Sequence, residues 1–168
     1  MIDIGDVVRR LAADLEAIRA LMHVVSDEQG QWKPDADTWS LQEVLTHFYN
    51  EERLDFRKHL NEMLADPPQP WSLISTAERV STDSWRQALD AFTGEREASI
   101  AWLRSLDEMG AVDWNITSAA PWGTISAGDV LVSWVEHDFL HMRQIIELLH
   151  AWNVHQADPY SVDYAGGW

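Results

Sequence analysis

The stretch WVEHDFLHMRQ, residues 134–144, places two histidines four residues apart within a run rich in apolar residues. The same spacing continues on both sides, so that one line along a predicted helix holds Val130, Trp134, His137, His141, Ile145 and Leu148. A repeat of three and four residues is typical of a helix that packs one face against a protein core. The pattern therefore predicts a core-facing helix that carries both imidazoles on its packed face.

Two further segments with the same periodicity precede it in the first half of the chain. The first runs from Ile4 to Val25 with apolar residues at alternating spacings of four and three. The second begins at WSLQEVLTHFYNEE, residues 39–52, where Ser40 and Glu43 can form a capping box. It should end near Ala65, because the prolines of DPPQP cannot continue a helix. Both are predicted to be bundle helices.

A third helical segment opens near STDSW, residues 81–85, and ends at Gly110. The helix that carries the histidine pair is predicted to be capped by Thr124 or Ser126 and to extend to about Trp152. The long connections 66–76 and 111–126 can cross a bundle, and WNITS and WGTIS in the latter favour a small β-hairpin. The fold class is therefore an all-α four-helix bundle with long crossover connections. We expect one domain, residues 1–168, with the tail 153–168 outside its core.

The amino-acid composition excludes some binding partners and some kinds of metal ligand. The 28 acidic and 12 basic residues give a net charge of -16, which repels phosphate backbones and anionic lipid. We therefore expect neither nucleic acid nor a membrane as a partner. The start of the chain does not resemble a secretion signal, and no apolar run approaches the roughly 20 residues that span a bilayer, so we expect a cytoplasmic protein. Without cysteine, any metal must be held by histidine, aspartate or glutamate.

His137 and His141 can serve a metal ion or can simply be structural residues. Side chains one helical turn apart lean the same way, with β-carbons about 6 Å apart, so two ring nitrogens can reach one ion. Burying two imidazoles without partners is costly. His47 is the best candidate for a third ligand, because it lies between Val44 and Leu54 on one face of the second helix. Three protein ligands would leave positions open for water or substrate.

Glu51 is the candidate catalytic residue, since it follows His47 by one turn on the same face. It can orient His47, act as a general base, or be an ordinary surface acid. Asp55, one turn further, is a weaker candidate for the same part. The other histidines are expected to face solvent rather than to bind a metal, namely His23, His59, His150 and His155.

The 10 tryptophans are mostly spaced as core residues. Trp39 is expected to pack onto Val44 at the start of the second helix. Trp71, Trp114 and Trp122 lie in the long connections, where each can fill the core or line a pocket mouth or a subunit contact.

The segments WSLQEVLTHF (39–48) and EHDFLHMRQI (136–145), in this order and on these helices, resemble the DinB/YfiT-like superfamily of metalloenzymes. Its members are four-helix proteins with one metal-binding histidine early in the chain and a pair late. The resemblance covers the chain to about Trp152. It implies that His47, His137 and His141 are ligands of a divalent metal, often nickel or zinc. It also implies a homodimer, because members often pair through helices.

Members of that family include thiol-dependent S-transferases and isomerases and a few hydrolases. We therefore expect a metal-dependent enzyme that activates a water or a low-molecular-weight thiol for transfer to a small electrophile. Such a thiol would be a diffusible cosubstrate, because the chain lacks cysteine. The second hypothesis is a metal-dependent hydrolase of a small amide, ester or strained ring. The third is a noncatalytic protein that binds or sequesters a small molecule in a tryptophan-lined cleft, with structural histidines.

Overall fold

Four long helical segments form the bundle in the computed structural model, which describes residues 3–110 and 112–168. The prediction of an all-α four-helix bundle with a small hairpin before the last helix is confirmed. In the described residues, no helix combines the length and the apolarity needed to cross a membrane. The helices are α1 (Ile4–Met22), α2 (Asp27–Gln31), α3 (Leu41–Glu51), a π-helical segment (Glu52–Phe56), α4 (Arg57–Leu64), α5 (Trp85–Met109) and α6 (Ala127–Ala157).

The connections contain short elements of their own. Strands β1 (Thr117–Ala120) and β2 (Gly123–Ser126) pair antiparallel directly before α6, in the connection where the hairpin was expected. Two 3₁₀ turns lie at Thr76–Glu78 and Asp163–Ala165. The short α2, the π-helical segment and these turns were not predicted, because pieces of three to five residues are too short to display a helical period.

The two helices that carry the candidate histidines begin at well-defined caps. The Ser40 hydroxyl accepts a hydrogen bond from the Glu43 amide, and the Glu43 carboxylate accepts one from the Ser40 amide at 2.7 Å. Ser126 and Asp129 form the same reciprocal pair at the start of α6. Each box satisfies amides that the first helical turn leaves without partners. The predicted starts of both helices are thus confirmed.

Two predicted helix ends were wrong. The first helix ends at Met22 and not at Val25, although Val25 is still buried just beyond it. The last helix continues to Ala157 instead of ending near Trp152. Its final turns pack against Trp32, whose ring lies 5.4 Å from that of Trp152. This aromatic contact stabilises helical turns that lie beyond the last apolar repeat of α6. The tail that follows the helix therefore begins after Ala157 and not at residue 153 as predicted.

The bundle places α1 and α3 on opposite corners, and likewise α5 and α6. Helix α1 packs against α5 and α6, and α3 packs against the same two helices. The chain must therefore cross the bundle between α1 and α3, as the long-connection prediction allowed.

A polar layer separates two apolar clusters of the core. One cluster includes Leu11, Leu60 and Trp134, and the other includes Phe48 and Ile145. Between them each long helix contributes buried polar residues at about the same level, namely Asp14 of α1, Glu51 at the end of α3, Glu52 of the π-helical segment, Arg96 of α5 and Asp138 of α6. The candidate histidines lie beside this layer.

Candidate metal centre

The structure brings the three candidate histidines together. Helix α3 supplies His47, and α6 supplies His137 and His141 one turn apart. The Nε2 atoms of His47 and His137 are 3.0 Å apart, and one ring nitrogen from each of the three residues lies within 4.8 Å of the others. Metal–nitrogen bonds of imidazole are about 2.0–2.1 Å for zinc, so the two closest nitrogens are near enough to share one ion.

A hydrogen bond behind His141 and a longer polar contact behind His47 indicate which nitrogen of each ring is free. The Nδ1 atom of His141 is 2.8 Å from the Gln144 side-chain oxygen, which only accepts, so this nitrogen carries the hydrogen and donates it. The Nδ1 atom of His47 is 3.5 Å from the Glu51 carboxylate. Both contacts favour the tautomer that leaves the Nε2 lone pair available, which is the usual arrangement of metal-binding histidines.

The electrostatics of the cluster also favour neutral imidazoles. Burial, followed by the neighbouring His141 and Arg79, lowers the pKa of His47 to about 4. Burial, followed by the adjacent histidines, lowers the pKa of His137 to about 3. Both rings are therefore unprotonated near neutral pH and keep lone pairs with which to bind a cation. The donor set, its tautomers and its charge state all fit a divalent transition metal.

The two histidines of α6 are less buried than their place in the apolar line predicts. His137 and His141 are half-buried, whereas Asp138 between them is fully buried. At this level of the bundle, α6 therefore points Asp138, and not the neighbouring His137, into the core, because Asp138 pairs with Arg96 of the polar layer. This turn leaves the two imidazoles at the edge of the core, where a small molecule can approach them.

Aromatic rings enclose the cluster. Trp39 is 40% exposed and does not close over the core as expected; its ring lies parallel to that of His141 at 6.2 Å and 5.1 Å from that of His47. The rings of Phe48 and Phe56 meet His137 edge-on at 5.7 and 5.1 Å. The imidazoles thus have apolar walls that hold them without competing as ligands.

A cleft of about 300 Å³ opens on His47. It lies between the start of α3 and the segment that follows the 3₁₀ turn at 76–78. Its lining combines one aromatic face, one guanidinium and several hydroxyl and amide groups, from Trp39, Gln42, Glu43, Thr46, His47, Arg79, Ser81 and Thr82. Its volume suits a small polar molecule.

Glu51 lies where the sequence placed it, on the face of His47, but it is not a surface acid. Its side chain is buried and contacts Arg79 Nη1 at 2.7 Å. Burial and a hydrogen bond with the Asp55 carboxyl raise the pKa of Glu51, against the opposing effect of Arg79. Glu51 stands behind His47, on its Nδ1 side, and therefore on the side away from the other two histidines.

The prediction that His59 faces solvent was wrong. Its side chain is 1% exposed, its Nδ1 atom lies 2.8 Å from Asp55 Oδ1, and its Nε2 atom lies 2.9 Å from the Ser72 carbonyl oxygen. Trp71 stacks on the ring at 3.7 Å. Burial opposes protonation, but the Asp55 and Ser72 hydrogen bonds outweigh it and raise the pKa of His59. The residue falls outside the apolar period of its helix, which is why periodicity misplaced it.

The remaining histidines lie apart from the centre. His23 and His155 are exposed as expected, and His155 stacks on Trp32 at 5.2 Å. His150 is instead half-buried, with the ring of Trp168 stacked on it at 4.1 Å. None of these contacts approaches the cleft.

The tryptophans of the long connections do not line the cleft. Trp71 covers His59, Trp114 packs against the core, and Trp122 is exposed with one edge contact to Trp71 at 5.7 Å. Among the cleft-lining residues the tryptophan is Trp39, which sequence spacing assigned to the core.

Periodicity also missed an ionic cluster beside the centre. Arg96 is fully buried and donates to Glu52 at 2.9 Å and to both Asp138 oxygens at 2.5 and 2.8 Å. The indole nitrogen of Trp134 donates to the other Glu52 oxygen at 3.0 Å. One feature of the sequence could have predicted this ionic cluster: Arg96 follows Phe92 by four residues and therefore lies on the apolar face of α5. A buried guanidinium at such a position needs carboxylates opposite it.

Comparison with known proteins agrees with this architecture. The family model described as "DinB superfamily" matches residues 10–145. No curated protein matches the sequence. A solved structure, YfiT from Bacillus subtilis, superposes with a TM-score of 0.69 at 14% identity and covers 91% of each chain; it is described as a probable metal-dependent hydrolase with an unusual four-helix bundle topology. Because the family model spans most of the sequence, this chain belongs to the DinB superfamily.

Proposed function

We propose that the protein is a metal-dependent enzyme in which His47, His137 and His141 hold one divalent cation, nickel or zinc. The observation that carries this proposal is the convergence of three imidazoles, with one nitrogen of each within 4.8 Å of the others. One of the three, His47, lines a cleft of about 300 Å³. A bound cation would supply Lewis acidity, which turns a water or a thiol into a usable nucleophile near neutral pH. Three protein ligands leave coordination positions open for that nucleophile.

The cleft would take a small-molecule substrate beside His47. Trp39 offers a flat apolar surface, and Thr46, Ser81 and Thr82 offer hydroxyl groups along the same walls. Arg79, 38% exposed, supplies a guanidinium at this surface. These groups can orient a polar electrophile against the nucleophile, which is the contribution that positioning makes to such reactions.

Glu51 would act on His47 and not on the substrate. It is buried on the Nδ1 side of His47, whereas the Nε2 atom of His47 faces His137. Its place 3.5 Å from His47 Nδ1 and its contact with Arg79 fit a residue that faces the Nδ1 hydrogen and fixes the ring. A general base in direct contact with substrate would need an open path that this position does not provide.

Metal analysis tests the proposed centre. Untagged protein loaded with Zn²⁺ or Ni²⁺ and then desalted should retain about one equivalent of metal, measured by mass spectrometry, since three imidazoles make a complete ligand set. His137→Ala should lose it while keeping the helical circular dichroism spectrum. His23→Ala, which changes an exposed histidine, should retain it. Equal metal content in wild type and His137→Ala would refute the centre.

The nucleophile separates the two enzymatic hypotheses. A thiol transferase consumes a low-molecular-weight thiol together with an electrophile, whereas a hydrolase of a small amide, ester or strained ring does not. The likeness to a protein described as a probable metal-dependent hydrolase supports water as the nucleophile, and the cysteine-free chain requires any thiol to diffuse in. Repeated turnover with either class would exclude the noncatalytic, sequestering function, for which strict one-to-one protection is expected.

We also propose that two copies pair through α1 and α6. An apolar groove of about 860 Å³ runs between these helices, and Phe139 and Ile146 beside it are 43% and 41% exposed. Arg143 and Glu147 border the same groove with opposite charges. The two residues pair within one chain at 3.4 Å. A two-fold axis beside them would also let the arginine of one copy face the glutamate of the other, so this face can pair with a second copy of itself.

A further inference from the structure

Four side chains of the second long helix follow one another at intervals of four residues: His47, Glu51, Asp55 and His59. In a regular α-helix each such step overshoots one turn by about 40°, so three steps would carry the last side chain about 120° away from the first. The π-helical segment Glu52–Phe56 interrupts this drift. Its wider turn takes more residues, so a step of four falls short of a full turn there and offsets the overshoot.

The four side chains consequently touch in sequence. His47 Nδ1 lies 3.5 Å from Glu51 Oε1. Asp55 is the next carboxyl group on this face, and it lies close enough to Glu51 that, after burial, it helps to raise the Glu51 pKa. Asp55 Oδ1 lies 2.8 Å from His59 Nδ1, and His59 Nε2 lies 2.9 Å from the Ser72 carbonyl oxygen. That carbonyl can only accept, so His59 Nε2 carries a hydrogen and the far end of the series is fixed to the backbone.

The far end is also rigid for steric reasons. The His59 side chain is 1% exposed, and Trp71 covers its ring at 3.7 Å with an interplanar angle of 12°. Both nitrogens of the imidazole are hydrogen-bonded, which a buried polar ring requires. His59 is therefore a fixed point from which Asp55 and then Glu51 take their orientation.

We propose that Asp55 and His59 are positioning residues of the metal centre, which hold Glu51 so that the His47 ring presents Nε2 toward His137. This inference rests on the proposed function, because it assumes that the three histidines bind a metal. Carboxylates and their own partners behind a ligating histidine typically contribute about 10–100-fold to metal affinity. Here the support extends through two further side chains to the connection after α4.

The test is the dissociation constant for Zn²⁺, measured by competition with a chelating dye at fixed pH. Asp55→Ala should weaken binding by about 10-fold or more, because Glu51 loses its support. Asp55→Asn should bind more tightly than Asp55→Ala, since its oxygen can accept from His59 and its amide can donate to Glu51. His59→Phe keeps an aromatic ring against Trp71, removes both hydrogen bonds, and should weaken binding as Asp55→Ala does.

Glu62→Ala is the matched control. Glu62 accepts hydrogen bonds from the Ser72 amide at 3.2 Å and the Ser72 hydroxyl at 2.5 Å, so its removal loosens the same connection and deletes one carboxylate. It lies outside the series from His47 to His59. Its dissociation constant should stay within about twofold of wild type, well short of the roughly 10-fold effect expected along the series.

Two results would overturn the inference. One is an unchanged dissociation constant in both Asp55→Ala and His59→Phe; the other is an equal loss in Glu62→Ala, which would assign the effect to packing of the connection. The free energy of unfolding of each metal-free variant, from urea denaturation, separates lost affinity from lost folding. If wild type itself binds no zinc, or if His137→Ala binds as tightly, the proposed metal centre has failed and this inference falls with it.

Discussion

At the scale of single residues, the protein shifts the pKa values of its enclosed imidazoles in opposite directions. Burial keeps His47 and His137 neutral, while His59, also enclosed, has a raised pKa because Asp55 faces it. The difference lies in the partners. A carboxylate stabilises the charged ring of His59, whereas the neighbours of His137 are other imidazoles, which oppose a second charge.

The lowered pKa values predict acid sensitivity of the metal-free protein. Unfolded histidines titrate near 6.5, and the folded values are about 4 for His47 and about 3 for His137. Below pH 6.5 the unfolded state binds more protons, so the free energy of unfolding falls as the pH drops toward 3 and is insensitive to these groups above about 7. Each residue contributes at most about 1.4 kcal/mol per pH unit.

Urea denaturation between about pH 7.5 and about pH 4.5 measures this pH dependence of the free energy of unfolding. His137→Gln removes one titrating group, and its unfolding free energy should therefore fall less steeply with acidification than that of wild type. His23→Gln, at an exposed position, should leave the slope unchanged. Identical slopes in wild type and His137→Gln would contradict the neutral, buried state of that ring.

At the scale of elements, the buried ion cluster connects α5 to the π-helical segment and to α6. Arg96 bridges Glu52 and Asp138, so that one guanidinium compensates carboxylates from two other elements. Asp138 follows His137 directly, and Glu52 follows Glu51. The cluster therefore fixes the rotation of both helices that present the candidate metal ligands.

Arg96→Met should destabilise the protein by about 3–5 kcal/mol at neutral pH, because two buried carboxylates lose their counter-charge. Arg19→Met is a suitable comparison, since Arg19 forms an exposed pair with Glu16, and it should change stability by less than about 0.5 kcal/mol. Urea denaturation of the metal-free variants measures both. A loss below about 1 kcal/mol in Arg96→Met would mean that the carboxylates find water or each other once the arginine is gone, contrary to the usual cost of leaving a buried charge without its partner.

At the scale of the whole molecule, the groove between α1 and α6 predicts the oligomeric state. Phe139→Glu places a charge in the apolar face and should shift the proposed homodimer to monomer in sedimentation velocity. Val132→Glu, at a comparably exposed apolar position of α6 that does not line the groove, should remain dimeric. The proposed interface would be refuted if the wild-type protein were a monomer, or if both variants were still dimers.

Much of the architecture could be predicted because it depends on local patterns. The period of apolar residues predicts the four long helices, and Ser40 with Glu43 and Ser126 with the residue three positions later fix the starts of α3 and α6. The same periods put His47 on one helix and the pair on another. Helix geometry is set by hydrogen bonds within a few residues, so sequence spacing alone carries this information.

Tertiary structure decided what each polar residue faces. The sequence could not show that Arg96 meets Asp138, that Trp39 lies over His141, or that His59 is buried, because each contact joins residues far apart or depends on a turn of unusual width. The π-helical segment brings His47, Glu51, Asp55 and His59 onto one face, although five residues display no period of their own. Spacing thus determined the helices and the histidines on them, while the charge state and support of those histidines depend on contacts that exist only once the helices have packed.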